Sequence, residues 1–116
     1  MNWLPNYFFR IVNKYNSLKF TNSICKALDI LSFDDYILFT DSDMFRSRYV
    51  AAGISPKVFL YYSRDNLMTV PYWYKHGNIM EPEIMEKASA VVTNSPHLAN
   101  IASKFNSNSY YVGQGC

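Results

Sequence analysis

The stretch Ala88–Asn94 (ASAVVTN), followed by Ser95 and Pro96, decides the fold. Its short, β-branched apolar run is typical of a strand buried on both faces of a parallel sheet. Ser95 suits the N-cap and Pro96 the first turn of a helix, which we expect to continue to Phe105. A second apolar run at Ser109–Val112 then completes a strand-helix-strand unit. Such a unit has a right-handed crossover, and its ligand-binding loops gather at the carboxyl ends of the strands.

Upstream of this unit, apolar runs alternate with helical patterns. Two further runs predict strands at Tyr36–Thr40 and Val58–Tyr62. The helical patterns predict three helices, at Asn13–Leu31, Met44–Ala52 and Ile79–Lys87. The order of elements therefore predicts an α/β fold, a Rossmann-like three-layer arrangement around an incomplete parallel sheet of about four strands.

The spacing of residues predicts further details of the helices. Apolar residues recur at near-helical intervals in the first helix, and we expect this face to pack on the core: Leu18, Ile24, Cys25, Leu28 and Leu31. Gly53 should end the second helix. The segment Leu67–Gly77 contains Pro71 and a Tyr-Trp-Tyr cluster and is expected to be irregular.

Length and composition limit the function classes. The chain has 116 residues, enough for one domain, and its 49% hydrophobic and 17% charged residues are typical of a globular protein. A net charge of +2, spread over the chain, gives no footprint for nucleic acid. Cys25 and Cys116 lie far apart without a CxxC motif or a nearby pair of His residues, which argues against zinc and a disulfide scaffold. We therefore expect a reducing, cytoplasmic setting.

The order of motifs resembles that of one enzyme family. The loop Arg64-Asp65, an aromatic segment, Glu81 in a helix, the run AxxVVTNS at 88–95 and YVGQG at 111–115 resemble the second half of the N-terminal domain of GT-B-fold glycosyltransferases. The likeness is to the group 1 type, which transfers sugars from nucleotide donors with retention. It covers residues 36–116. Ser89 stands where the family usually has an aspartate.

The resemblance implies that residues 1–116 are part of the acceptor-side, N-terminal Rossmann-like domain of such an enzyme. The implied partners are a nucleotide-sugar donor, a glycan or lipid-linked acceptor, and a C-terminal donor-binding domain without which the chain is expected to be inactive. The resemblance implies no bound metal or other cofactor. For the whole enzyme it is compatible with peripheral contact with the inner face of a membrane.

Several candidate substrate-binding residues follow the second strand. Arg64 suits a phosphate or carboxylate and Asp65 suits sugar hydroxyls, although a loop ion pair explains both equally well. Tyr72 and Trp73 offer rings that either stack on sugars or pack on the core. Glu81 either faces the cleft or stabilises the positive end of its helix.

The ends of the last two strands supply the remaining candidates. Asn94 and Ser95 either present a helix N-terminus to an anion or only cap that helix. The turn after the last strand, which the resemblance covers, adds Gly113 and Gln114 as candidate substrate-binding residues.

The motif Asp41-Ser42-Asp43 follows the first strand and supports a rival function. Two carboxylates at a strand end can hold a divalent cation that bridges a diphosphate, as in the DxD motif of GT-A-fold glycosyltransferases. The simpler alternative is that Asp41 or Ser42 caps the following helix. A third hypothesis is a non-catalytic flavodoxin-like interaction or receiver domain, which requires five strands and a lysine near the end of the last one.

Overall fold

The computed structural model describes residues 3–113, which form one parallel sheet with its connecting helices. The elements, in chain order, are α1 (Asn6–Ile30), β1 (Ile37–Asp41), α2 (Ser47–Ile54), β2 (Val58–Ser63), a 3-10 turn (Leu67–Thr69), α3 (Pro71–Lys87), β3 (Ala90–Thr93), α4 (Pro96–Ala102) and β4 (Ser109–Tyr111). The strands lie in the order β1-β2-β3-β4. The predicted class, an incomplete Rossmann-like α/β fold with an all-parallel sheet, is confirmed.

The sequential strand order places α2, α3 and α4 on one face of the sheet, because each parallel crossover is right-handed. Tyr61 in β2 lies between Thr40 of β1 and Val91 of β3 in the sheet register. The helices cover this row, and one core joins all three of them to the strands: Leu38, Ala51, Phe59, Tyr61, Ile84, Met85, Ala88, Val91 and Ala102. Burial of these side chains is the main stabilising contribution to the fold.

The opposite face of the sheet is only partly covered. Along β2, buried residues alternate with half-buried ones, so the two faces differ. On the open face, Ile37, Phe39 and Tyr110 are all exposed. The prediction that β3 is buried on both faces is therefore right for one face only, since Val91 is fully buried and Val92 is half-buried.

Ser89 lies immediately before β3 and extends the pairing with β2. Its N–H donates to the Phe59 carbonyl at 2.8 Å, and its hydroxyl accepts from the Phe59 N–H at 3.0 Å. Ser89 therefore satisfies both backbone groups of Phe59.

Helix α1 differs from its prediction in extent and in orientation. It begins at Asn6 rather than Asn13, and its buried stripe is mostly polar: Phe9, Asn13, Ser17 and Thr21. Leu18 and Leu31, which were expected to face the core, are exposed. Small and polar side chains at i, i+4 spacing form the packed face, because they let α1 approach α2 closely. A Cβ added to Gly53 of α2 would lie 2.3 Å from Thr21 Cγ2.

The next two helices also differ from their predicted bounds. Helix α2 ends at Ile54, and Ser55 takes the left-handed cap conformation (φ 48°) that was expected near Gly53. Helix α3 begins at Pro71, so the prediction of an irregular segment up to Gly77 was wrong. Proline at the first helical position has no N–H to satisfy, which explains why it starts the helix.

Substitution of Gly53 by Ala tests the close packing of α1 on α2. Alanine normally stabilises a helix interior by about 1 kcal/mol relative to glycine. Here we expect the opposite sign, a loss of roughly 1 to 3 kcal/mol in the free energy of unfolding, because the added Cβ clashes with Thr21 Cγ2. Urea denaturation measures this change.

Thr21→Ser provides the matched control for this substitution. Serine keeps the hydroxyl that donates to the Ser17 carbonyl but lacks the clashing methyl group. In the Thr21→Ser background we expect Gly53→Ala to cost much less, so the double-mutant cycle shows coupling. Stabilisation by Gly53→Ala in the wild-type background would contradict the packing described above.

Candidate functional site

A cleft of about 440 Å³ opens beside the carboxyl end of β1. Four elements line it, namely α1, the end of β1, the β1–α2 loop and the first turn of α3; the lining residues are Phe9, Asn13, Asn16, Asp41, Ser42, Asp43, Met44, Phe45, Arg46, Tyr72 and Trp73. The volume falls within the roughly 300 to 1,000 Å³ typical of ligand pockets. Carboxyl ends of parallel strands are also where open α/β sheets bind ligands.

Four aromatic rings in contact form one wall of the cleft. Phe45 stacks on Trp73 with centroids 5.6 Å apart and an interplanar angle of 23°. Tyr72 meets Trp73 edge-on at 5.2 Å, and Phe9 meets Phe45 edge-on at 5.4 Å. These contacts hold Trp73 in place, while the ring of Tyr72 remains exposed. The wall combines a fixed indole with an accessible phenol.

The polar side of the cleft carries carboxylates, an amide and a guanidinium. Asp43 accepts the Arg46 N–H at 3.2 Å and pairs with the Arg46 Nε at 3.4 Å. Asn13 donates from Nδ2 to the Phe45 carbonyl at 2.7 Å, which ties α1 to the loop. Since that bond uses the amide nitrogen, the Asn13 amide oxygen can still accept a hydrogen bond.

Ser42 shapes the loop that carries these groups. Its backbone is left-handed (φ 52°), and its N–H donates to the Tyr62 carbonyl at 2.8 Å. Its hydroxyl donates to Asp41 Oδ1 at 3.1 Å. The turn directs the chain away from β1 and places Asp41 and Asp43 at the cleft.

The structure brings Arg64 and Asp65 to the edge of the cleft without placing them in its lining. Arg64 Nη1 lies 3.4 Å from Asp41 Oδ2, and Arg64 Nε lies 3.5 Å from Asp65 Oδ2. All three side chains are well exposed, so each pair contributes little to stability. Arg64 therefore carries a positive charge beside the cleft, within reach of its acidic residues.

The acidic motif makes local contacts of the kind expected for a helix cap. Asp43, rather than the predicted Asp41 or Ser42, caps the turn that leads into α2. Within residues 3–113, no group of three or more His, Cys, Asp or Glu side chains is arranged to hold a metal ion.

Glu81 lies away from the cleft, in the middle of α3 rather than in its first turn. Its side chain is buried and accepts a hydrogen bond from the Tyr61 hydroxyl at 3.0 Å. Burial raises the pKa of Glu81 above its ordinary value of 4.5, and the Tyr61 hydrogen bond opposes this only in part. Burial also raises the pKa of Tyr61, with the Glu81 charge adding to the effect. The pair joins α3 to the sheet.

The candidates at the ends of β3 and β4 do not join the cleft. The Ser95 hydroxyl accepts the Leu98 N–H at 3.2 Å, so the predicted N-cap is confirmed. Gly113 has a left-handed backbone (φ 78°) just beyond β4. Asn94, like these two, is absent from the cleft lining. Gln114 and Cys116 lie outside the described residues.

Sequence patterns did not identify six residues of the cleft, namely Phe9, Asn13 and Asn16 on α1 and Met44, Phe45 and Arg46 in the β1–α2 loop. Asn13 and Asn16 on α1 were missed because the apolar pattern assigned a different inner face to that helix. Phe45 and Arg46 were missed because their segment was predicted to be regular helix. The i, i+4 series Asn13, Ser17 and Thr21, with Phe9 before it, is the signal that identifies the packed face of α1.

No family model, curated protein or solved structure matches this chain. The geometry of the cleft and the order of motifs are therefore the grounds for a functional interpretation.

The raised pKa of Glu81 predicts a specific dependence of stability on pH. The folded protein keeps the Glu81 proton at pH values where the unfolded chain has lost it. Stability should therefore fall as the pH rises from about 4.5 through the higher folded-state pKa. Glu81→Gln removes this titration, so urea denaturation at pH 4 to 8 should show a smaller fall than in the wild type.

Glu86→Gln is the control for this experiment, because Glu86 is an exposed carboxylate on the same helix. We expect the pH profile of this variant to follow that of the wild type. Identical profiles for Glu81→Gln and the wild type would show that the buried carboxyl does not control the pH dependence.

Proposed function

We propose that this chain is part of the acceptor-side domain of a GT-B-type glycosyltransferase and that its cleft binds a sugar unit of the acceptor. The observation that carries the proposal is the composition of the cleft, in which Tyr72 and Trp73 lie together with the carboxylates of Asp41 and Asp43. Sugars have both apolar C–H faces and hydroxyl edges. They therefore suit a site that combines rings with hydrogen-bond acceptors.

The proposed binding uses each wall of the cleft differently. The exposed ring of Tyr72, held against Trp73, stacks on the C–H face of the sugar. Carboxylates form charge-assisted hydrogen bonds with sugar hydroxyls, and Asp41 and Asp43 supply them. The ion pairs of these carboxylates use only part of their accepting capacity, because each carboxylate has about four lone-pair sites.

In the proposed reaction this chain contributes orientation. Sugar transfer breaks the bond between the anomeric carbon and the diphosphate and forms a bond from that carbon to an acceptor hydroxyl, which loses its proton. A fixed acceptor turns the encounter into a near-unimolecular step. Arg64, at the edge of the cleft, offers positive charge for a diphosphate. The donor site is assigned to a second domain, so the chain alone should not hydrolyse UDP-sugars or GDP-sugars.

A GT-A-like mechanism is the rival, and it is favoured by the presence of both Asp41 and Asp43 in the cleft lining. In that mechanism a divalent cation on the two carboxylates holds a nucleotide diphosphate. The pairing of each carboxylate with an arginine favours the metal-free alternative. The flavodoxin-like hypothesis expects the strand order 2-1-3-4-5, in which the first strand lies inside the sheet. In the described residues β1 lies at one edge and the strands follow in sequence order.

Sugar binding is tested with Trp73 as the reporter. The chain has two tryptophans, so Trp3→Phe leaves Trp73 as the sole indole. In this background we expect maltotriose, cellotriose or chitotriose to change the fluorescence of Trp73 in a saturable manner. Tyr72→Ala should weaken binding about tenfold, or about 1.4 kcal/mol, because the stacking surface is lost.

Tyr74→Ala is the matched control, since Tyr74 is a similarly exposed ring on the same helix turn but is absent from the cleft lining. It should leave the binding constant unchanged. Binding should also persist in a chelator, which separates the proposal from the cation-dependent rival. Equal loss in both tyrosine variants, or micromolar binding of UDP-sugars or GDP-sugars that requires Mn²⁺, would contradict the proposed function.

A further inference from the structure

Helix α1 hides a polar stripe and exposes an apolar one, the reverse of an ordinary surface helix. Its buried side carries Asn13, Ser17 and Thr21. Large apolar side chains lie on the outward side of the first half of α1 and at Trp3, which precedes the helix. We call them the α1 outer face: Trp3, Tyr7, Phe8, Ile11, Tyr15 and Leu18. Trp3 is 79% exposed, Tyr7 71% and Ile11 50%. Several such side chains together on a surface mark an interaction site.

The charges beside this face are positive. At 100° per residue, Lys14 and Lys19 flank the stripe of Tyr7, Ile11 and Tyr15 on its two sides. The Lys19 ammonium lies 4.7 Å from the centroid of the Tyr15 ring. Within the described residues neither lysine takes part in an ion pair.

The remaining charges of α1 do not offset these two lysines. Arg10 is directed to α3, where its Nη2 pairs with Glu83 at 3.0 Å. The only acidic residue of the helix is Asp29, near its other end. The outer face therefore presents aromatic and aliphatic side chains between two cations that have no acidic partner among residues 3–113.

We propose that the α1 outer face docks on an anionic lipid surface. Apolar rings bordered by lysines are the features of helices that lie in the membrane interface, with the rings among the headgroups and the lysines on anionic phosphates. Tyr and Trp favour this depth because one part of each side chain is apolar and another part is polar. The exposed side chains lie along the side of α1, so the helix lies parallel to the lipid surface. Among the described helices none has the length and apolar character to cross a bilayer.

The charges distinguish the lipid surface from a second copy of the chain. Pairing two α1 outer faces would bring Lys14 and Lys19 of both copies close together. The only acidic residue of α1, Asp29, lies near its other end, so the like charges of these lysines would repel. An anionic bilayer neutralises both lysines and also covers the rings. The α1 outer face thus fits the bilayer better than it fits itself.

Docking through this face leaves the cleft accessible, because Phe9, Asn13 and Asn16 reach the cleft from the other side of α1. The inference does not depend on the proposed function. Sugar binding in the cleft and lipid binding on the outer face are separate properties, and either can fail without the other.

Vesicle binding tests the proposal with the full chain. The sole-tryptophan variant Trp73→Phe leaves Trp3 as the reporter, and its emission should shift to shorter wavelength with vesicles containing about 30% phosphatidylglycerol in phosphatidylcholine. Flotation should recover the protein with these vesicles, less of it at 0.5 M salt, and little with phosphatidylcholine alone. Replacing both Lys14 and Lys19 by Gln should lower the partition coefficient about 25-fold, because each lysine contributes about fivefold.

The matched control is Tyr110→Ser, which removes an exposed ring from the open face of the sheet. It should leave vesicle binding unchanged, whereas Tyr7→Ser with Ile11→Ser should reduce it at least tenfold, with circular dichroism confirming that every variant is folded. Equal binding to both kinds of vesicle, insensitivity to the lysine changes, loss on Tyr110→Ser, or a dimer in solution that Ile11→Ser dissociates would overturn the proposal.

Discussion

The structure depends on one constraint, the right-handed crossover between neighbouring parallel strands. With the strands in simple sequence, this constraint places α2, α3 and α4 on the same face of the sheet. Tyr61 and Val91 are completely buried on that face, while Phe39 on the other face is exposed. Because the strands also run parallel, the loops after β1 and β2 lie at one edge of the sheet, so the cleft is a consequence of the topology.

The position of α1 completes the cleft. A conventional amphipathic helix would pack through its apolar residues, but α1 packs through Asn13, Ser17 and Thr21, and Gly53 permits the close contact. This orientation brings Phe9 and Asn13 to the cleft and leaves the apolar residues of the outer face exposed. One packing choice therefore determines both the lining of the candidate site and the character of the outer surface.

The sequence predicts the fold better than it predicts the site, for physical reasons. Buried parallel strands are short apolar runs that end at turn residues. The predicted positions of β2, β3 and the Ser95 cap therefore agree closely with the structure. The packed face of α1 was assigned wrongly because the prediction counted only apolar residues along that helix. The partner helix α2 lies so close to α1 that small side chains are needed between them. The site was found in part. Tyr72 and Trp73 line the cleft, but Glu81 does not, because its burial against Tyr61 depends on contacts distant in sequence.

The most direct measurement of the central claim is a chemical-shift titration of the ¹⁵N-labelled chain with an oligosaccharide that it binds. We predict that the largest shifts fall on two segments distant in sequence, residues 41–46 and the first turn of α3. Shifts confined to the ends of β3 and β4, around Asn94, Ser95 and Gly113, would contradict the assignment of the cleft as the sugar site.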